Sequence, residues 1–252
     1  YFQLTRLHKF PAGSNLVFWP GAWGVTLSAC RVGMPAKQVF IQIGMYLLGS
    51  TLRHSAACVW NDICDREFDR QVVGFLILDP LYPLMKRWTH WPQAFLGLAM
   101  TWALPTAWVS INGFHVVSIP LVLLVGGTSW TIYYDTIYAC QDRRDDIKAG
   151  IKSTAVLFGE YIRPIVFTFA VGFIASLTYG GVATGAGAPY FIITVIITSV
   201  ELVWQMVALD FDNGVQCWTI FKINGNLVGA TVWIGTFVDY LVRVRSCPSW
   251  AL

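Results

Sequence analysis

Long apolar runs separated by short polar connections set the pattern of this 252-residue chain. A helix needs about twenty apolar residues to cross a bilayer core. Runs near that length fall at 12–29, 38–60, 92–110, 114–134, 162–177, 190–208 and 226–242, and predict seven spanning helices. Pro20 and several glycines lie in the first, which should be kinked and closely packed. Between the runs, residues 31–37 form a short loop, 142–153 a charged loop, 180–187 a Gly-rich turn and 210–224 a polar loop. Residues 1–11, carrying Arg6, His8 and Lys9, read as an interfacial segment without a cleavable signal pattern. One piece does not fit: the apolar stretch 72–78 is too short to cross, and a basic edge at Lys86 and Arg87 follows it.

Composition agrees with a membrane assignment. The chain is 56% hydrophobic and 12% charged, against about 25% charged in soluble domains. The helical class follows from run length, and 1–252 reads as a single transmembrane domain. Six cysteines show no CxxC pairing and mostly lie in or beside apolar runs, so neither disulfides nor a zinc site is expected.

The few acids are concentrated. Of fourteen Asp and Glu, eight lie in residues 61–69 and 134–146, each stretch closing an apolar run. On a helix at ~100° per residue, Asn61, Asp62, Asp65 and Asp69 fall at roughly 0°, 100°, 40° and 80°. Counted from Asp142, Asp146 lies at about 40° and Asp135 at about 20°, which predicts a second shared stripe. Carboxylates this close repel unless a cation lies between them. Mg²⁺ accepts oxygen ligands, typically one or two carboxylates plus phosphate oxygens. Two separated acidic faces therefore suggest two metal ions clamping one diphosphate. Arg53 lies about 12 Å deeper than Asn61 along its helix, and a charge buried in a membrane helix usually has a functional partner.

Side assignment adds a count. Both acidic stretches share one face only if a further hairpin, a whole span and half of another, belongs after Val72, which makes nine spans. Twelve of seventeen Lys and Arg then lie on that face, with Arg31, Lys37, Arg243 and Arg245 opposite and Arg53 inside. The positive-inside rule turns the acids toward the cytoplasm or its equivalent, such as the mitochondrial matrix.

These residues resemble a known family. Asn61-Asp62-x-x-Asp65-x-x-x-Asp69 is similar to the first signature of the UbiA superfamily of intramembrane prenyltransferases, and Tyr134-Asp135-Thr136-Ile137-Tyr138-Ala139-x-x-Asp142-x-x-x-Asp146 to the second. The run from Asp146 through Lys148, Gly150 and Lys152 to Ala155, the Tyr82-Pro83-x-Met85-Lys86-Arg87 motif and Trp91-Pro92-Gln93 resemble the 4-hydroxybenzoate polyprenyltransferase branch, which includes fungal meroterpenoid enzymes. The resemblance implies nine transmembrane helices around a central cavity, in line with the parity count. It implies Mg²⁺-dependent transfer of a prenyl group from an isoprenyl diphosphate to a ring carbon of an aromatic acid, 4-hydroxybenzoate or orsellinic-acid type.

Roles follow as expectations. Asn61, Asp62, Asp65, Asp69, Asp142 and Asp146 would hold two Mg²⁺ ions bridging the diphosphate, with Asp135 a further ligand or the residue that orients Tyr138. Arg6, Arg53, Lys148 and Lys152, with Lys86 or Arg66 besides, are candidates for the diphosphate oxygens. Arg87 would grip the acceptor carboxylate bidentately, with Tyr138 beside the acceptor. An allylic cation needs a dry, aromatic-lined pocket. A bilayer is the implied setting, and no nucleic-acid partner is expected. Relatives acting on homogentisate, a porphyrin or a lipid are the alternative. A divalent-cation carrier would place its acids inside the spans rather than at their ends.

Overall fold

The structure is a computed structural model, described over residues 13–66 and 85–246, with side chains described over 13–58 and 85–244. All its regular elements are helical among these residues. They are α1 (Ser14–Val32), α2 (Ala36–Arg66), α3 (Pro92–Thr101), α4 (Ala103–Asn112), α5 (Ser118–Ala139), α6 (Arg143–Ala149), α7 (Thr154–Phe158), α8 (Ile162–Ala183), α9 (Thr198–Ala208), α10 (Gly214–Ile223) and α11 (Gly229–Ser246). Wider π turns at Tyr190–Ile197 and Asn224–Val228 lead into α9 and α11.

Each expected run has a long helical stretch. Four of the described stretches are long and apolar enough to cross a membrane: Pro92–Asn112, Thr154–Ala183, Tyr190–Ala208 and Gly214–Val244. α3 and α4 form one rod, interrupted at Trp102, which keeps helical dihedrals. Pro105 accounts for the interruption, because it lacks the N–H that would bond the Thr101 carbonyl.

The helices close a ring. α1 packs on α3 and α4, these on α5, α5 on α8, α8 on the π turn before α9, that turn on α11, and α11 back on α1. α2 lies against α1 outside the ring, and α10 leans across to α5. Close approach is built from small residues. A Cβ on Gly24 of α1 would sit 2.8 Å from the Leu104 carbonyl of α4, and one on Gly97 of α3 would sit 3.0 Å from Thr128 of α5. The middle is filled by Trp23 of α1, Trp130 of α5 and Phe173 of α8, each nearly fully buried. The Trp130 and Phe173 rings are stacked at 5.6 Å, and the Trp23 ring lies 5.2 Å from Trp130. α1 is fastened to the α10–α11 rod by two indoles, Trp19 Nε1 donating to the Gly225 carbonyl at 2.6 Å and Trp23 Nε1 to that of Gly229 at 3.0 Å.

Two stretches depart from the sequence expectation. The polar loop expected at 210–224 becomes helical from Gly214. Asn213 caps that helix, its side chain accepting from Val215 and Gln216 N–H, and Cys217 and Ile220 bury its inner face. The charged loop at 142–153 contains α6. The expected nine spans and extra hairpin extend beyond the described residues.

Candidate active site

The last two turns of α5 carry the chemistry. Tyr134 and Asp135 are buried, while Tyr138 is half-buried. The helix then breaks. Cys140, Gln141 and Asp142 donate their N–H groups to the carbonyls of Ile137, Tyr138 and Ala139, three residues back. This tight turn ends the α-helical register, so the single stripe expected for Asp135, Asp142 and Asp146 does not exist as one helix face. The three carboxylates meet by another route. Asp142 stands at the N-cap of α6 without using its carboxylate as a cap, and Asp146 follows one turn later. Gly150 ends α6 in the left-handed conformation (φ 69°) and turns the chain back toward α3 and α5.

The segment 151–154 then closes the site. Lys152 N–H donates to the Lys86 carbonyl at 2.9 Å, and Lys152 Nζ lies 3.5 Å from the Trp88 carbonyl. Thr154 N–H donates to Gln93 Oε1 at 3.1 Å, and the Thr154 and Thr136 hydroxyls bond at 2.6 Å. The result is a cleft of about 110 Å³ that includes Lys86, Gln93, Asp135, Tyr138, Asp142 and Asp146 in its lining, with Lys152 at its border. Partial burial, followed by repulsion from Asp142, pushes the Asp146 carboxyl above its ordinary range, while Lys86 pulls it the other way. Behind Tyr138 stand two rings of α10, Phe221 at 4.7 Å and Trp218 at 5.7 Å.

The other expected residues are placed as follows. Asn61, Asp62 and Asp65 lie on α2, in its stretch without described side chains, together with Arg66. Asp69 and Arg6 lie outside the described residues. Arg53 is not among the residues lining the cleft; its Nη2 donates to the Ala99 carbonyl at 2.8 Å. It borders a larger cavity of about 540 Å³, which Val17, Tyr46, Ser50 and Ala103 also line. Lys148 pairs with Asp145 at 3.1 Å on the exposed side of α6. Arg87 is exposed beside Lys86. Gln93, noted from sequence only within the Trp91-Pro92-Gln93 motif and given no role there, lines the cleft; a glutamine entering an apolar run is the kind of signal that marks a site in a membrane helix.

Among the described residues no three His, Cys, Asp or Glu side chains are grouped closely enough to hold a metal ion. That does not exclude Mg²⁺ here, because one or two carboxylates with phosphate oxygens and water complete its shell. Asp142 and Asp146 supply two such oxygen donors, and their mutual repulsion is what a cation between them relieves. The donor set fits.

A match to the UbiA prenyltransferase family covers residues 71–228 of the chain. The chain belongs to the UbiA prenyltransferase family. It is a transferase. Family relatives align along almost all of it. It is 38% identical to the UbiA prenyltransferase claS of Ampulloclitocybe clavipes, over 95% of this chain and 90% of that protein. It is 32% identical to the mitochondrial 4-hydroxybenzoate polyprenyltransferase of Caenorhabditis elegans, over 96% of this chain and 79% of that one. The alignment with claS runs for 285 residues, longer than the 252 of this chain, so that relative carries residues without a counterpart here. The fold is similar to the apo structure of a UbiA homolog from Aeropyrum pernix K1, with a TM-score of 0.53 at 16% identity over 90% of this chain and 85% of that one.

Proposed function

We propose that this UbiA-family chain transfers a prenyl group from an isoprenyl diphosphate to a ring carbon of an aromatic acid, 4-hydroxybenzoate or orsellinic-acid type, in a Mg²⁺-dependent reaction. The observation that carries this reading is the cleft itself. It gathers Asp135, Asp142 and Asp146 with Lys86, and brings Lys152 to its border, at the end of a membrane-length bundle. The diphosphate head of the donor would lie at this polar end, with its prenyl chain among the apolar helices.

Asp142 and Asp146, with Asn61, Asp62, Asp65 and Asp69 of the first acidic stretch, would hold Mg²⁺. A metal held by these residues would supply positive charge against that growing on the diphosphate as its bond to the allylic carbon breaks. Lys86 and Lys152 face the same oxygens. Lys148 and Arg6 are further candidates for the diphosphate, as is Arg53 from the neighbouring cavity. The Tyr138 ring, backed by Phe221 and Trp218, offers an aromatic face to the allylic cation or the acceptor. Arg87 grips the acceptor carboxylate. The residues of claS without a counterpart in this chain leave room for a nine-span architecture, and the further hairpin after Val72 rests on the parity of the spans. The basic excess on the cleft side supports an active face toward cytoplasm or matrix.

The test is a product assay with the full chain in liposomes. 4-Hydroxybenzoate and orsellinic acid are each offered with geranyl, farnesyl and longer diphosphates, with Mg²⁺ or a chelator. The expected result is a ring-prenylated acid that disappears on chelation and returns when Mg²⁺ is added back. Undiminished transfer in chelator would overturn the metal requirement. Diphosphate release without a prenylated acid would move the acceptor to the homogentisate, porphyrin or lipid class.

A further inference from the structure

The connection between α4 and α5, residues 113–117, lies at the end of the bundle away from the cleft. Its backbone is held in costly conformations. Gly113 ends α4 at φ 65°, and Val116, at φ 55°, is the one residue other than glycine with positive φ among the described residues. A β-branched side chain crowds its own backbone there, so surrounding contacts must hold it in place. The outcome is display rather than burial: Phe114 is 83% exposed and Val116 44%. One indole fixes both this loop and a cation. Trp108 of α4 is fully buried. Its Nε1 donates to the His115 carbonyl at 3.4 Å, and the Arg31 guanidinium, from the last turn of α1, lies over its ring at 5.9 Å from the centroid. Arg31 is exposed, as is Lys37 near the start of α2. Neither 31–37 nor 103–120 contains an acid. Arg243, at the same end, is instead closed on Asp239.

We propose that this corner is an anionic-phospholipid site, in which Arg31 takes the headgroup phosphate while Phe114 and Val116 stand among the first acyl carbons. The chemistry of the corner favours a lipid over other occupants. A guanidinium resting on an indole face keeps its edge N–H groups for phosphate oxygens, which it can grip in pairs. Large apolar side chains at the end of a span, beside a cation, match the boundary between headgroups and acyl chains. The absence of acids from both segments leaves the local charge positive, which suits a lipid carrying net negative charge. A loop facing water would gain by relaxing at Val116 and turning Phe114 inward. The site is separate from the cleft and does not depend on the prenyl-transfer reading.

Photocrosslinking of the full chain tests this. Phe114→p-benzoylphenylalanine is prepared in nanodiscs holding equal amounts of phosphatidylglycerol and phosphatidylcholine, irradiated, and the peptide carrying position 114 is weighed by mass spectrometry. The adduct mass names the occupant. The expected result is lipid adducts in which phosphatidylglycerol exceeds phosphatidylcholine by about fivefold, the preference that one cation gives near an anionic lipid. Adding Arg31→Gln should bring the two lipids to parity while lipid adducts persist. Adding Arg31→Lys, which keeps the charge, should retain most of the preference, a rescue that a merely structural role for Arg31 would not produce. Equal adducts of the two lipids in the chain that keeps Arg31 would overturn the proposal, and so would a preference that survives Arg31→Gln. An adduct to a second copy of the chain would make the loop a protein contact, and no adduct to lipid would put it in water; either result also overturns the site. If Arg31→Gln does not fold, the ratio in the chain that keeps Arg31 decides: a fivefold excess supports the site and parity removes it.

Discussion

At the end of the bundle away from the cleft, Asp239 is as deeply buried as Asp135 and also has a basic partner. There the pair is closed. Asp239 Oδ1 accepts from Gly187 N–H at 2.8 Å, and its other oxygen lies 3.5 Å from Arg243 Nε. Arg243 donates onward to the carbonyls of Thr184 and Gly185 and toward Cys30 Sγ. These bonds join α1, the α8–α9 connection and α11. In the cleft, by contrast, Asp142 makes no cap bond and Asp146 is held against a neighbour of like charge. Charge closed on backbone of the same chain is a clamp. Charge aimed at a cavity with repulsion left in place is ready for a ligand.

The largest effect that would break this contrast is at the rim. Asp142→Asn should lower transfer by about 10²–10³, the range for losing one preorganised electrostatic group. It should leave melting temperature unchanged or slightly higher, since it removes a repulsion. A loss of stability parallel to the loss of transfer would put the rim with the clamp. Asp239→Ala should do the reverse. Removing one partner of a buried pair costs about 3 kcal/mol, read as a lower unfolding midpoint, while turnover per folded molecule is retained. An intermediate case is Asn224, which accepts from Trp130 Nε1 at 3.0 Å and donates to Gln205 Oε1 at 2.8 Å. Asn224→Leu should cost about 2 kcal/mol by leaving those groups unpaired, again at constant turnover. The smallest effect belongs to Lys148→Ala. Its pair with Asp145 is exposed, and such pairs contribute at most about 1 kcal/mol; a midpoint shift beyond that would show α6 anchored through this lysine.

Much of this was readable before the fold. The apolar runs located the long helices because hydropathy acts residue by residue. The acids at 134–146 announced a site because charge is so scarce elsewhere. Angular counting failed at Cys140–Asp142, where a turn bonded three residues back resets the register and no glycine or proline announces it. The helix at Gly214 was hidden because 210–224 is polar in composition, and its order comes from the Asn213 cap and burial against α5. The clamp was invisible for a similar reason: Asp239 and Arg243 read as a local pair, and their joint hold on residues 184–187 exists only after folding.

The packed rings of Trp23, Trp130 and Phe173 carry one more consequence. Three interlocked aromatic side chains join α1, α5 and α8, and Asn224 ties the same Trp130 indole to Gln205. A change of size at any one of these rings is therefore felt by three helices at once, and this part of the core has the least room to vary.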